Sequence, residues 1–173
     1  TVQSGGTAVI WLVGHDSDGS LDFSDTYGQE EMDICWDGNA AVEVIYFYQD
    51  VSGYQIDKEA FDPDGARISD NNFSSADSGC AGLDNSGTIS NMIAGGARTP
   101  LFFVVRPFYE ETTIGINGLE DLPVQGYEVT STGEIDRSGD ETISRRIKVF
   151  KSWETPPDYF FHTVFSNTGV TTN

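Results

Sequence analysis

The chain has 173 residues, enough for one domain with a buried core, and its 38 % hydrophobic residues and 19 glycines are typical of a folded protein rich in turns. Its 28 acidic residues far outnumber its 9 basic ones, which gives a net charge of −19. This charge excludes the basic stripes that bind nucleic acid, and it is equally unsuited to an anionic membrane surface. We therefore expect a single domain over residues 1–173 that binds neither.

Strand-like segments follow one another along the chain and are separated by turn residues. No stretch shows the periodicity of a long helix, and only residues 25–32 and 89–94 could form short ones. Two long loops interrupt the pattern, at 15–33 and 62–98. The sequence predicts an all-β fold, an antiparallel β-sandwich of about seven to eight strands. The predicted strands are 7–13, 42–48, 54–60, 101–106 (ended by Pro107), 112–116, 126–131 and 143–153, followed by an aromatic segment at 158–165.

The acidic residues are unevenly placed. Residues 1–97 carry 17 acids and two bases, whereas residues 98–173 carry 11 acids and seven bases. One interpretation is a soluble, self-repelling secreted surface, and the other is a surface that binds cations or a basic partner.

The two cysteines, Cys35 and Cys80, are what a secreted domain with one disulfide would carry. A bond between them would close a loop of about 45 residues and stabilise the fold by about 4 kcal/mol. Buried free thiols are the alternative. We expect the disulfide, an extracellular location, and an upstream export segment before Thr1, since no leader or membrane span is visible in the chain.

The sequence offers little for catalysis. His15 and His162 are the only histidines, and the GxSxG, HExxH, P-loop and GxGxxG motifs are all absent. The acidic doublets 30–31 and 110–111 do not suit a glycosidase, because neighbouring residues on a strand point to opposite faces. We therefore predict that the protein is not an enzyme and that both histidines are structural or solvent-exposed.

One loop suggests a metal. Asp16, Asp18 and Asp22 alternate around Gly19, and such a turn can wrap carboxylate oxygens around Ca²⁺. The spacing lacks the third early ligand and the final Glu of an EF-hand. A solvated turn is therefore the alternative, and calcium is the one cofactor that the sequence suggests.

A basic cluster lies near the C-terminal end, at Arg145, Arg146 and Lys148, with Lys151 beyond it. Strand alternation predicts that Arg146 and Lys148 lie on the face opposite Ile147. The cluster could simply be a solvated strand face. Alternatively, it could contact the acidic half of a neighbouring copy, head to tail, as in a filament.

The distal half contains several motifs in succession. RPFY at 106–109 is followed by TTIGINGLEDLPVQGYEVTSTGEI at 112–135 and by ISRRIKVFKSWETPPDYFFHTVFS at 143–166, and CWDGNAAVEVIYFY at 35–48 fits the same pattern. Over residues 34–166 the chain resembles the globular region of bacterial type IV pilus-associated, minor-pilin-like proteins.

This resemblance implies a cell-surface protein that is anchored in the membrane or the pilus core only through an N-terminal hydrophobic helix preceding this chain. Its partners would be other pilus subunits or a cell-surface ligand. The expected function is that of a structural or adhesive domain. A secreted carbohydrate- or protein-binding sandwich with no link to pili is the alternative.

Overall fold

The computed structural model describes residues 1–137 and 141–157, with 136–137 and 141–143 described by backbone alone. These residues form thirteen strands and one short α-helix. The elements are β1 (Ala8–Trp11), β2 (Val13–His15), β3 (Leu21–Thr26), β4 (Glu31–Trp36), β5 (Ala41–Asp50), β6 (Gly53–Asp62), α1 (Gly65–Asn71), β7 (Ser74–Ser75), β8 (Asp77–Ser78), β9 (Asn85–Ser90), β10 (Thr99–Phe108), β11 (Ile114–Gly118), β12 (Gly126–Arg137) and β13 (Glu141–Ser152).

The strands are divided among four sheets. A five-stranded sheet has the order β1-β10-β5-β6-β7, and a four-stranded sheet has the order β11-β4-β9-β8. Two further sheets are the two-stranded ribbons β2-β3 and β12-β13. All pairs are antiparallel except β6 with β7. The fold is mostly β, as predicted, but the described part of the chain also has a short helix and has more strands and more sheets than the predicted sandwich.

The main core draws buried side chains from both large sheets. Trp36 and Ile34 of β4 lie in one cluster with Val44 of β5 and Phe103 of β10. A second cluster includes Ile45 of β5, with Phe102 and Val104 of β10. Successive residues of a strand face opposite ways, so β5 and β10 bury both of their faces. That explains why both strands are continuous apolar runs in the sequence. Each fully buried large side chain adds about 2 kcal/mol to the free energy of unfolding.

Four strands, β3, β7, β8 and β9, lie within the segments that were predicted to be loops, and β4 begins in the first of them. Residues 25–32 join the end of β3 to the start of β4, and residues 89–94 contain the end of β9 followed by a single 3₁₀ turn, so both short helices were wrong. In β4, Met32, Ile34, Cys35 and Trp36 are buried, whereas Glu31 is exposed and Asp33 is half-buried. The first half of the strand thus alternates, and the sequence concealed it because its apolar residues stand among acids.

Strand β10 continues through Pro107, contrary to the prediction that this proline ends it. Proline lacks an N–H and is tolerated where a strand has no neighbour to receive one. Strand β1 pairs with β10 only from Phe102 to Val105, whereas β5 pairs as far as Phe108. Pro107 therefore lies where β10 has lost one of its two neighbours.

The predicted disulfide is confirmed. Cys35 in β4 is bonded to Cys80 in the loop after β8, with the two Cα atoms 5.5 Å apart. Cys35 lies within its strand rather than at a boundary. The bond ties the irregular chain between β8 and β9 to the four-stranded sheet, and a structural disulfide indicates an oxidising compartment. In the described part of the chain, no helix is long and apolar enough to cross a membrane.

Candidate functional site

The ribbon β12-β13, here called the arm (residues 126–152), extends from the rest of the protein, the body (residues 1–125). Its register runs from Gly126 opposite Ser152 to Arg137 opposite Glu141. At the usual rise per residue, strands of 12 residues are roughly 40 Å long. The two strands contact chiefly each other, and the described side chains at 127–135 and 144–152 are all exposed. The arm therefore presents two open faces.

One of these faces is largely apolar. Residues directly opposite each other in an antiparallel pair share a face, which places Val129 opposite Val149 and Ser131 opposite Ile147. Val149 is 54 % exposed and Ile135 is 66 % exposed. Apart from two bases, the described side chains of this apolar face carry no charge: Tyr127, Val129, Ser131, Gly133, Ile135, Arg145, Ile147, Val149 and Lys151.

The register divides the basic cluster between the two faces of the arm. Arg145 lies on the apolar face, whereas Arg146 and Lys148 lie on the other. The ammonium of Lys148 is 2.9 Å from a carboxylate oxygen of Glu128. Both partners are about half exposed, so this ion pair contributes little to stability. The predicted subunit contact through these residues stays a prediction.

Gln125 joins the arm to the body through its side-chain amide. Its Oε1 accepts a hydrogen bond from the Trp11 backbone N–H at 2.8 Å, and its Nε2 donates to the Trp11 carbonyl at 2.8 Å. These two bonds replace those that a neighbouring strand would give β1. On the other side of the arm, the Trp153 backbone N–H donates to the Gln125 carbonyl at 3.3 Å.

An aromatic stack supports the same junction. The His15 ring lies parallel to Trp153 with centroids 4.8 Å apart, and its other contact is the edge of Trp11 at 4.5 Å. The buried His15 Nδ1 has no hydrogen-bond partner among the described residues. Burial lowers the pKa of His15, because the charged ring loses solvation. His15 is thus a neutral packing residue; His162 lies outside the described residues.

An aromatic cleft of about 350 Å³ opens on the outer face of the five-stranded sheet, beside the β2-β3 ribbon. At its base, Phe47 and Phe102 stack with centroids 4.3 Å apart. At its rim, Tyr54 is 73 % exposed and Ile56 is 43 % exposed. The walls are mostly apolar, and none of the lining side chains is charged: Trp11, Leu21, Phe47, Tyr48, Tyr54, Gln55, Ile56, Leu101 and Phe102.

The three aspartates predicted to bind calcium are not brought together as a set. Asp18 accepts hydrogen bonds from the Ser20 N–H at 3.0 Å and hydroxyl at 2.6 Å, and Asp16 accepts a long one from the same hydroxyl. Asp22 accepts instead from Ser24. The Ser20 and Ser24 hydroxyls lower the pKa of Asp18 and Asp22, respectively. In residues 1–137 and 141–157, no group of three or more His, Cys, Asp or Glu side chains could hold a metal. Calcium binding stays a prediction.

Carboxylates of the two acidic doublets accept hydrogen bonds from neighbouring segments of the chain. Glu30 accepts a hydrogen bond from the Gly95 N–H at 2.7 Å. Glu110 accepts from the Asn39 backbone and Glu111 from the Gln3 side chain, so the two point to different segments. These contacts give Glu30, Glu110 and Glu111 structural partners.

Neither the arm's apolar face nor the cleft was anticipated from the sequence. The signal for the arm was present, since apolar and polar residues alternate along both 126–131 and 143–153. Alternation predicts one buried face, and only the structure shows that this face is uncovered. The cleft joins residues from β1, β3, β5, β6 and β10, which no local pattern connects.

Comparison with known proteins identifies no relative: no family model matches the chain, and no curated protein or solved structure is significantly similar to it.

Proposed function

We propose that this chain is a surface-displayed, non-catalytic domain of a type IV pilus-associated, minor-pilin-like protein, with a structural or adhesive role. The disulfide, which fits an exported protein, and the motifs shared with that family support this proposal. In this proposal the five-stranded and four-stranded sheets are the two layers of the predicted sandwich, and the arm is an addition to it.

The exposed arm is the observation that carries the proposal. An isolated two-stranded ribbon is only marginally stable in water, and large contiguous apolar patches on a soluble surface mark interaction sites. The arm exposes Val129, Ile147 and Val149 along one face, where nothing in the described part of the chain covers them. A partner that covers this face would both stabilise the arm and hold the domain in an assembly.

Charge favours another subunit as that partner. Residues 1–125 carry 21 acids and four bases, whereas the arm carries five of each. Two acidic bodies repel each other, and the arm is the segment that can approach an acidic neighbour. In this proposal, Arg145, Arg146 and Lys148 contact carboxylates of the adjoining subunit.

Truncation of the arm tests this function in the producing cell. Residues 130–148 would be replaced by Asn-Gly, and antibodies against the body would locate the protein by immunogold microscopy. We expect labelled filaments for the wild-type protein and for the exposed arm variant Thr132→Ala, and unlabelled filaments for the truncated protein. Equal secretion of all three proteins, free of any filament, would contradict the proposal.

A second candidate is a secreted carbohydrate-binding module, and the aromatic cleft favours it. Exposed aromatic rings can stack on sugar rings, and Gln55, Tyr48 and Tyr54 add polar groups to the mostly apolar lining. In this case soluble saccharides should shift the NMR signals of cleft residues, and Tyr54→Ala should abolish the shifts. Absence of shifts across a broad glycan panel would leave the pilus-associated function as the better explanation.

A further inference from the structure

We infer that the apolar face of the arm docks in the aromatic cleft of a second copy of this chain, an inference that rests on the proposed function and names its partner. The contact is head to tail, since the two surfaces differ. In any row of copies joined in this way, the first and last copies keep one free arm and one free cleft between them. The row can therefore grow at both ends, unless the rotation between neighbouring copies closes it into a ring.

The two surfaces have matching chemistry. The arm offers β-branched side chains on its apolar face at Val129, Ile147 and Val149. The cleft offers the exposed Tyr54 and Ile56. Each surface exposes apolar area to water in the single copy, and mutual burial is favourable for both.

Charge fixes which partner fits the arm. Among the described residues of its apolar face, the only charged ones are two bases, Arg145 towards the tip and Lys151 towards the body. Two such faces would place bases against bases, which disfavours arm-to-arm pairing. Carboxylates lie near the cleft: the hydroxyl of its lining residue Tyr48 donates a hydrogen bond to Asp57 at 3.4 Å, and burial together with the charges of Asp57 and Asp50 raises the pKa of that tyrosine. The bases of the arm therefore meet carboxylates at the cleft.

The other bases near the cleft are already neutralised. Arg98 lies 2.8 Å from Asp57 and packs over the Tyr48 ring. Lys58 lies 3.8 Å from Glu43. Each of these pairs also occupies a carboxylate, whereas Asp50 forms no ion pair with a described residue and stays able to attract the bases of the arm. Electrostatic complementarity therefore favours an arm in the cleft over one arm against another.

The size of the contact predicts its strength. The face of a ribbon roughly 40 Å long and about 10 Å wide offers on the order of 400 Å², so the contact buries at most about half of a standard interface on each partner. A contact of this size is weak and transient by itself. It becomes effective where copies are already held together, as in a filament.

Sedimentation velocity of the whole chain, from micromolar to millimolar concentration, tests the inference. The wild type should form a concentration-dependent series of oligomers. Val149→Asp in the arm and Ile56→Asp in the cleft should each weaken association by about tenfold or more, because each buries a charge against an apolar partner. Leu119→Asp is the matched control: it adds the same charge at a residue 76 % exposed outside both surfaces, and it should associate like the wild type.

Mixing the two defective variants makes the test specific. Val149→Asp retains an intact cleft and Ile56→Asp retains an intact arm, so an equimolar mixture should form one-to-one dimers and nothing larger. Thermal melting checks that each variant is folded. If Val149→Asp does not fold, Val149→Thr replaces it, and a smaller loss of association is expected.

Three results would overturn the inference: a wild type that is monomeric at millimolar concentration, a mixture that stays monomeric, or a saccharide that fills the cleft without competing with self-association. These results concern the contact alone. A protein that associates as expected but is never found on filaments would overturn the proposed function and leave the contact standing.

Discussion

At the scale of single residues, Gln125 holds the arm in place by imitating a strand. Its amide both accepts from and donates to the Trp11 backbone, at 2.8 Å in each case. A side chain can satisfy a free strand edge in this way because a carboxamide has the same donor and acceptor as a peptide group. No sequence pattern marks this role, since the two residues are 114 positions apart.

Replacing Gln125 by alanine should therefore destabilise the protein. The Trp11 N–H and carbonyl would both lose their partner at a partly buried site, which costs about 1–3 kcal/mol. Urea unfolding followed by tryptophan fluorescence measures this loss. Thr132→Ala, an exposed change within the arm, should alter the free energy of unfolding by less than about 0.5 kcal/mol. Equal stability of the two variants would show that the amide does not hold the junction.

His15 should make stability depend on pH. Burial between Trp11 and Trp153 lowers its pKa in the folded protein below the ordinary value of 6.5. The unfolded chain therefore takes up this proton first as the pH falls. Neutral His15 makes its full contribution to the free energy of unfolding above about pH 7. That contribution is lost as the pH falls from the pKa of His15 in the unfolded chain to its lower pKa in the folded protein.

Urea titrations at several pH values between about 7.5 and 5 measure this loss, in a range that lies above most carboxylate pKa values. His15→Phe keeps an aromatic ring in the stack and should flatten the dependence. His162→Asn should leave the pH dependence caused by His15 in place. A wild-type profile retained in His15→Phe would assign the dependence to another group.

At the scale of elements, the two large sheets approach each other closely where β9 meets β6. A Cβ added to Gly87 would lie 2.4 Å from the Phe61 ring, much closer than any real contact. Gly87 is needed there for space. The same glycine made residues 85–90 read as loop, because glycine is depleted in strands. Gly87 thus kept β9 from being predicted as a strand and also allows β9 to pack against Phe61.

Gly87→Ala should destabilise the protein by about 1–3 kcal/mol, the usual cost of overpacking a core. Gly133 is the matched control, since a Cβ added there meets no atom within 4 Å. Gly133→Ala should be neutral or slightly stabilising. Denaturant unfolding compares the two, and Phe61→Leu should restore part of the stability lost in Gly87→Ala by making room. A tolerated Gly87→Ala would mean that the sheets can shift apart there.

The strands that could be predicted from the sequence are those with continuous or clearly alternating apolar residues, such as β5 and β13. Those that were missed have their apolar residues interrupted by acids, as in β4, or by glycine and serine, as in β9. The disulfide was predictable because only two cysteines exist. The cleft was not, because it depends on how five separate strands are placed in space.

At the scale of the whole molecule, charge is distributed so that the body and the arm behave differently. The body carries nearly all of the net charge of −19, and the arm carries none. Repulsion between bodies is screened over about 10 Å at an ionic strength of 0.1 M. Added salt therefore weakens both the repulsion between bodies and the attraction of arm bases to carboxylates, and leaves the apolar contact as the part that persists.

Removal of the outer arm separates folding from assembly. Joining Val129 to Val149 through Asn-Gly deletes residues 130–148, and these two valines are directly opposite each other in the register. The two new residues form the type I′ turn that suits a two-residue hairpin. The described residues of the deleted segment include no member of either core cluster, and its four acids balance its four bases, so the net charge is unchanged.

We therefore expect the shortened protein to unfold within about 1 kcal/mol of the wild type, because it loses no core burial and gains no repulsion. Its disulfide and the junction at Gln125 and Trp153 should remain. Association at high concentration should disappear in sedimentation, since the apolar face is reduced to its base. A shortened protein that fails to fold would show that the arm belongs to the core. A shortened protein that folds and still associates would place the assembly surface on the body. The effect of salt on that association would then show whether the remaining contact is polar, and weakened by salt, or apolar.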